Sequence, residues 1–412
     1  MNLAYWSLGA LILTIVVSCA TEMNAGVLAI ALAWLVGVVL GGMKAEQIVA
    51  GFPSSLFLTL VGVILLFTQA QANGTLERVA HRAVRLCRGN AGLIPIVFFG
   101  VAAALATVGP GNIATAALLA PVAMAVAVRS GIPAFLMAIM VGNGANAGAL
   151  SPLAPTGIIA ANLMAHIGLG GVEWRTYANN LLAHTVVAFG GYFLLGGWKL
   201  FRRSTPLADP ETDCPAFETR HWITVGIICL LVAGVILFEV NVGMAAFAGA
   251  ATLFALGAAD HKQALHRMPW GVIVLVCGFT VLIAVLEKTS GMKLFTDVLA
   301  QFSTPRTVTA VVAFVAGLVS VYASTSGVIL PTFLPTVPGL VQHLPGANAM
   351  AIASSINVGG HLVDVSPLST IGALCLASLP AGEDSRRLFR QLLAWGLSMT
   401  LVGAIACYLM FR

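Results

Sequence analysis

Charge is what this 412-residue sequence has least of: charged residues make up 8% of it, against roughly 25% in a soluble domain. Twenty basic and 15 acidic side chains cannot wet the surface of a 42.6 kDa chain. With 59% hydrophobic residues and a mean hydropathy of +0.97, lipid must be the solvent for most of that surface, which excludes a soluble fold. The net charge of +5 is scattered through short loops and forms no continuous basic face, so no nucleic-acid partner is expected. The seven cysteines (Cys19, Cys87, Cys214, Cys229, Cys277, Cys375 and Cys407) have neither CxxC pairing nor metal spacing and read as small membrane-helix residues, not a disulfide framework. The N-terminal MNLAYW lacks the basic segment of a cleaved leader, so the first apolar run is expected to be a retained span. Catalytic signatures are also missing. There is no HExxH, no facing pair of catalytic Asp residues and no Gly-x-Ser-x-Gly turn placed with a base, which argues against an intramembrane enzyme.

What is present is a series of apolar runs bounded by charge or turn clusters. Eight read as ordinary spans: 4–20, 25–42, 55–72, 178–198, 221–240, 243–258, 271–287 and 391–411. Two longer regions, 91–168 and 307–379, are interrupted by Gly, Pro, Ser, Thr and Asn where a helix in lipid should not be interrupted. In the first, an arm of about 15 residues meets the breaker Gly109-Pro110-Gly111-Asn112 and is followed by a second such arm ending at Arg129. Each arm reaches only about 22 Å, short of the roughly 30 Å hydrocarbon core, so a re-entrant hairpin is predicted over 91–129. A broken crossing over 133–168 follows, unwound from Ala147 to Gly157.

The second region repeats this plan, with a hairpin over 307–343 around Ser324-Thr325-Ser326-Gly327 and a broken crossing over 345–379 unwound between Gly359 and Gly372. Ser151-Pro152-Leu153 through Gly157 matches Ser366-Pro367-Leu368 through Gly372, an offset of about 215 residues. The expected fold is therefore an all-α polytopic membrane protein and an internal duplication. It has about ten membrane spans plus two re-entrant helical hairpins and two broken crossing helices. Repeat 1 occupies 1–198, ending in the span 178–198; a cytoplasmic linker runs over 199–220; repeat 2 occupies 221–412, ending in the span 391–411. Five crossings per half force the second half to be inverted. Fourteen of the 20 basic residues fall on one predicted side and six on the other. The richer side reads as cytoplasmic, placing both termini outside. The basic segment Glu77, Arg78, Arg82, Arg85 and Arg88 reads as an interfacial helix, and His166, Glu173 and Arg175 as a solvated outer loop.

Inverted repeats whose broken helices meet near mid-membrane are the plan of a secondary transporter. Half-helix N-termini offer N–H groups to an anion, and half-helix C-termini offer carbonyls to a cation. The expected substrate ligands are Asn112 and Ile113 at the first tip, Ser324, Thr325 and Ser326 at the second, and Ser151, Thr156, His361, Ser366, Ser369 and Thr370 in the unwound segments. Sodium candidates are Gly109, Gly111, Asn112, Asn146, Gly148, Thr325, Gly327, Gly360 and Asp364. Asp364 and His361 are the ionisable residues of the unwound segments, and a charge within the bilayer is functional by default. Asn143, Asn146 and Asn357 sit at half-helix ends, where capping competes with binding. No Arg or Lys is expected in the core, so dipoles, amides, hydroxyls and co-bound cations would have to balance an anion there.

The run Gly111-Asn112-Ile113-Ala114-Thr115-Ala116-Ala117-Leu118-Leu119-Ala120-Pro121 resembles the hairpin-tip motif of the ion transporter superfamily, the divalent anion to sodium symporters. Asn143 to Gly157 looks like that superfamily's unwound crossing, and the match is nearest to malonate-type, MatC-like dicarboxylate carriers. The resemblance implies an elevator-type homodimer in the bacterial inner membrane, with a dianionic carboxylate held between the two hairpin tips and usually sodium coupling. Where that motif has Ser-Asn-Thr, this chain has Gly111-Asn112-Ile113 and Thr325-Ser326-Gly327, which removes two hydroxyls from the first tip. The expected activity is cation-coupled transport, by Na+ or H+, of a small malonate- or succinate-like dicarboxylate. No cofactor is expected beyond a coupling ion, and the partners are the small anion, the bilayer and a second copy of the chain. The competing reading on the same architecture is an arsenite or Na+/H+ type exchanger, which would need Asp364 as its proton site. A channel would show flux without saturation.

Overall fold

The computed structural model describes residues 2–21, 23–84, 90–203, 216–238, 240–380 and 382–411. Among the described residues every regular element is a helix. The first half comprises α1 (Leu3–Ala20), α2 (Ala25–Trp34, continued as a π-helix over Leu35–Leu40), α3 (Ala45–Val49), α4 (Ser54–Ala72), α5 (Thr75–Val84), α6 (Leu93–Val108), α7 (Gly111–Arg129), α8 (Ala134–Gly148), α9 (Pro155–His166) and α10 (Glu173–Leu194). The second comprises α11 (Thr219–Phe238), α12 (Val242–Ala255), α13 (His261–Arg267), α14 (Trp270–Lys288), α15 (Gly291–Gln301) and α16 (Val308–Ser320). A π-turn over Thr325–Ile329 then leads into α17 (Leu330–Phe333), α18 (Val337–His343), α19 (Ala349–Leu362), α20 (Thr370–Ala377) and α21 (Ser385–Met410).

Five of these helices, α4, α7, α11, α14 and α21, are long and apolar enough to cross a membrane. Burial gathers the chain around two cores. One centres on α2, α4, α12 and α14; the other on α6, α7, α8, α10 and α21. In the first, α2 packs on α14 and α4 on α12. Small residues permit both crossings: a Cβ at Gly278 would run into the Gly26 carbonyl, and one at Gly62 would lie 2.5 Å from the Gly243 carbonyl oxygen. Without a hydrophobic drive between helices in lipid, such backbone approach is what holds them together.

The helix expected as the second arm of a hairpin differs from its expected length. Gly111 to Ile113 form its first turn, so α7 has 19 residues and a length of about 28 Å. Glu173 and Arg175, expected in a loop, open α10 instead; Glu173 sits in its first turn, where an acidic side chain meets unpaired N–H groups. The second unwound stretch is also shorter than expected, because Gly359 to Leu362 are helical. A Cβ at Gly359 would lie 2.6 Å from the Cα of Ala313, so this glycine serves packing of α19 on α16 and does not break the helix. The segment holding Arg85, Cys87 and Arg88, most of the 199–220 linker with Cys214, and Arg412 lie outside the described residues. The described end of the linker docks on α5, where Arg78 Nε donates to the Ala216 carbonyl at 3.1 Å and Arg82 stacks over Phe217 at 4.1 Å.

Candidate functional site

The two breakers lie against one cavity. At Gly109 the chain takes φ +150°, and a Cβ there would run into the Phe67 ring. Pro110 follows without an N–H, and Gly111, at φ +77°, starts α7. The N–H groups from the N-cap to the third helical position have no intrahelical partner; in α7 the N-cap is Pro110, which has no N–H, so they belong to Gly111, Asn112 and Ile113. The residues Gly111, Asn112, Ile113 and Ala114 line a cavity of about 270 Å³, together with Pro155 and Thr156 from the start of α9 and Ser326 from the π-turn. The starts of α7 and α9 therefore meet at the same space, an arrangement that favours negative charge. The remaining wall is largely apolar, from Leu60, Ile64 and Phe67 of α4, Ile159 of α9 and Ile273 of α14.

Behind the cavity runs a chain of buried amides. Asn112 Nδ2 donates to Asn146 Oδ1 at 2.8 Å, and the Thr156 hydroxyl reaches Asn112 Oδ1 at 3.5 Å. Asn146 Nδ2 lies 3.5 Å from the His361 carbonyl, and Asn180 Nδ2 donates to the Asn146 carbonyl at 2.7 Å. His184 Nδ1 donates to Asn143 Oδ1 at 2.9 Å, and His361 Nδ1 to the Asn357 carbonyl at 2.7 Å. This leaves four buried acceptors with no hydrogen-bond partner among the described residues: Nε2 of His184 and His361, and Oδ1 of Asn180 and Asn357. They sit on α10 and α19, which pack against each other.

A second polar cluster gathers around Asp364. Its carboxylate accepts from Ser369, and Thr325 faces it from the second tip. Thr325 in turn pairs with Ser320 at 2.7 Å, and the Ser320 and Thr325 hydroxyls both approach the Gly360 carbonyl, at 2.9 and 3.3 Å. Asp364 is thus tied to the second tip by hydroxyls, which is how a buried carboxylate is kept satisfied.

The expected residues accordingly divide. Asn112, Ile113, Thr156 and Ser326 meet at the cavity; Thr325, Ser369 and Asp364 meet beside it; and Asn146 joins the first tip to the His361 carbonyl. Ser151 and Ser366 do neither. Their hydroxyls accept the N–H groups of Leu153 at 3.2 Å and Leu368 at 3.4 Å, so they close equivalent turns 215 residues apart. Ser324 caps the π-turn by accepting from Gly327 N at 3.2 Å, and Thr370 is exposed at the start of α20. Among the glycine carbonyls put forward for sodium, that of Gly360 carries two hydroxyl donors, and that of Gly148 accepts from Ser151 N at 3.1 Å.

Several residues at these sites went unread in the sequence. Gln71 and Arg267 line the cavity, and Asn180 and His184 belong to the amide chain. Asn180 and His184 lie on a helix whose polar residues are spread around its circumference, so periodicity does not reveal which side is buried. Arg267 lies in a short connection whose depth a linear charge count does not register.

Residues 1–149 match the family model of the dicarboxylate carrier protein MatC N-terminus. No curated protein matches the chain. Among solved structures it is similar to the YdaH transporter of Alcanivorax borkumensis, at 16% identity over 93% of this chain and 97% of that one, with a TM-score of 0.63. It is also similar to MtrF of Neisseria gonorrhoeae, described with a class of antimetabolite efflux pumps, at 13% identity over 92% of this chain and 84% of that one, with a TM-score of 0.58. At these identities the likeness is one of fold. The first 149 residues therefore carry the pattern of dicarboxylate carriers, and the family and both structures are membrane carriers or transporters, not enzymes.

Proposed function

We propose that this multi-pass membrane protein, with the N-terminal pattern of dicarboxylate carriers, is a secondary active transporter that binds a small dicarboxylate between Asn112 and Ser326. The observation that carries the reading is the convergence of the α7 and α9 N-termini and the second tip on one cavity of about 270 Å³. Unpaired N–H groups, an amide and hydroxyls suit a carboxylate, and the aliphatic wall suits the carbon chain between two of them. The two halves are read as inverted repeats, because equivalent Ser-Pro-Leu turns and equivalent packing of α8 on α6 and α19 on α16 recur about 215 residues apart. Transport is of the elevator type in a homodimer of the bacterial inner membrane, with the linker on the cytoplasmic side and both termini outside.

Import of a dianion against an inside-negative potential requires co-transported cations. Each unit charge moved down 100 mV contributes about 2.3 kcal/mol, so two or three cations per dianion suffice. The Asp364 cluster and the four unpartnered acceptors on α10 and α19 are the places offered for sodium ions or protons, since all present oxygen or nitrogen lone pairs. The test is uptake of radiolabelled succinate and malonate into proteoliposomes under imposed Na+ or H+ gradients. Saturable, gradient-driven accumulation is expected. Its absence for every C3 to C6 diacid overturns the reading.

A further inference from the structure

We propose that Arg267 is a second anchor of the binding cavity, holding the far carboxylate of a bound dicarboxylate and so making the site selective for dianions. This rests on the dicarboxylate reading above and adds a residue, a charge and a selectivity to it. Arg267 is the charged side chain among the residues lining the cavity; every other polar group there is neutral. The lining therefore combines neutral polar groups (Thr68, Gln71, Asn112, Thr156 and Ser326), an aliphatic surface and one cation, the combination a short diacid needs.

Arg267 is also unclaimed. Arg267 takes no part in the ion pairs seen at Arg78, Arg220 and His343. It lines the cavity and is exposed. Its backbone, by contrast, is fixed. Asp260 caps α13 by accepting from Lys262 N at 2.8 Å and Gln263 N at 3.2 Å, while Ala264 and Met268 are buried on either side. The Trp270 indole donates to the Leu265 carbonyl at 3.1 Å, and Pro269 stops the helix beside the cavity. From this fixed backbone the guanidinium offers a planar fork suited to a carboxylate. It belongs to the connection between α12 and α14 and not to either tip, so a diacid bridges separate parts of the protein.

The experiment compares succinate with its monoamide, succinamate, as competitor of succinate uptake by the reconstituted full chain. In the wild type, succinamate should compete at least tenfold more weakly than unlabelled succinate. In Arg267→Gln the KM for succinate should rise about tenfold, the loss of one charge-assisted hydrogen-bonding partner, and the preference for succinate over succinamate should collapse. Arg267→Lys, which keeps the charge but not the fork, should retain part of the preference and shows that the loop tolerates substitution. Wild-type uptake with an Arg267→Gln variant of unchanged KM and preference overturns the anchor and leaves the dicarboxylate reading standing. A wild type that carries no diacid overturns both.

Discussion

The amide pair at the first tip allows a quantitative test. Asn146 is wholly buried, Asn112 is 5% exposed, and a 2.8 Å hydrogen bond joins their side chains. A hydrogen bond of this kind contributes about 0.5–1.5 kcal/mol net, and a buried partner left unsatisfied costs about 1–3 kcal/mol. The second bond of Asn146, to the His361 carbonyl, is long at 3.5 Å and adds little. On the proposed site Asn112→Ala removes a direct ligand and should lower kcat/KM for succinate by about tenfold to a hundredfold. Asn146→Ala leaves the Asn112 amide free to turn and hydrate at the cavity wall, so its effect should be smaller, about fivefold to tenfold. Once Asn112 is gone, the amide that Asn146 orients is gone too. The double variant should therefore fall short of the sum by about 1 kcal/mol, calculated from the four kcat/KM values in proteoliposomes of equal protein content. Additivity within about 0.3 kcal/mol would show that Asn146 does not act through Asn112 and would refute the argument.

Gly157→Ala should be severely destabilising, by about 3 kcal/mol or more, because its Cβ would run into the Ser151 carbonyl, which cannot yield as a side chain can. Gly226→Ala, with open space around it, should leave the unfolding midpoint in detergent unchanged; equal midpoints for the two variants would contradict the packing described. Asp364→Asn should abolish accumulation driven by a cation gradient while leaving succinate exchange and detergent stability near wild type. Full gradient-driven uptake by this variant would remove Asp364 from coupling.

The interruptions were legible in the sequence because Gly109-Pro110 and the Ser-Pro-Leu turns stand in apolar runs, where unpaired backbone groups are costly. Small residues were harder to read. Gly359 and Gly360 look like breakers, yet α19 continues through them because a glycine also permits close helix packing, and only the neighbouring Ala313 distinguishes the two uses. The cavity's depth was not legible either. Arg267 counts as a loop charge in the sequence, and its position beside Ile273 and Pro269 follows from α13 folding back against α4. Likewise, His184 and Asn180 gain their importance from the carbonyls and amides of α8, which lie more than thirty residues away in the chain.

The most direct test of the account is an experimental structure of the reconstituted protein in saturating succinate, read for density in the cavity between the two tips. An elongated feature is expected, with one end at Asn112, Thr156 and Ser326 and the other toward Arg267. A succinate-competent protein with that space empty and density bound elsewhere would contradict it.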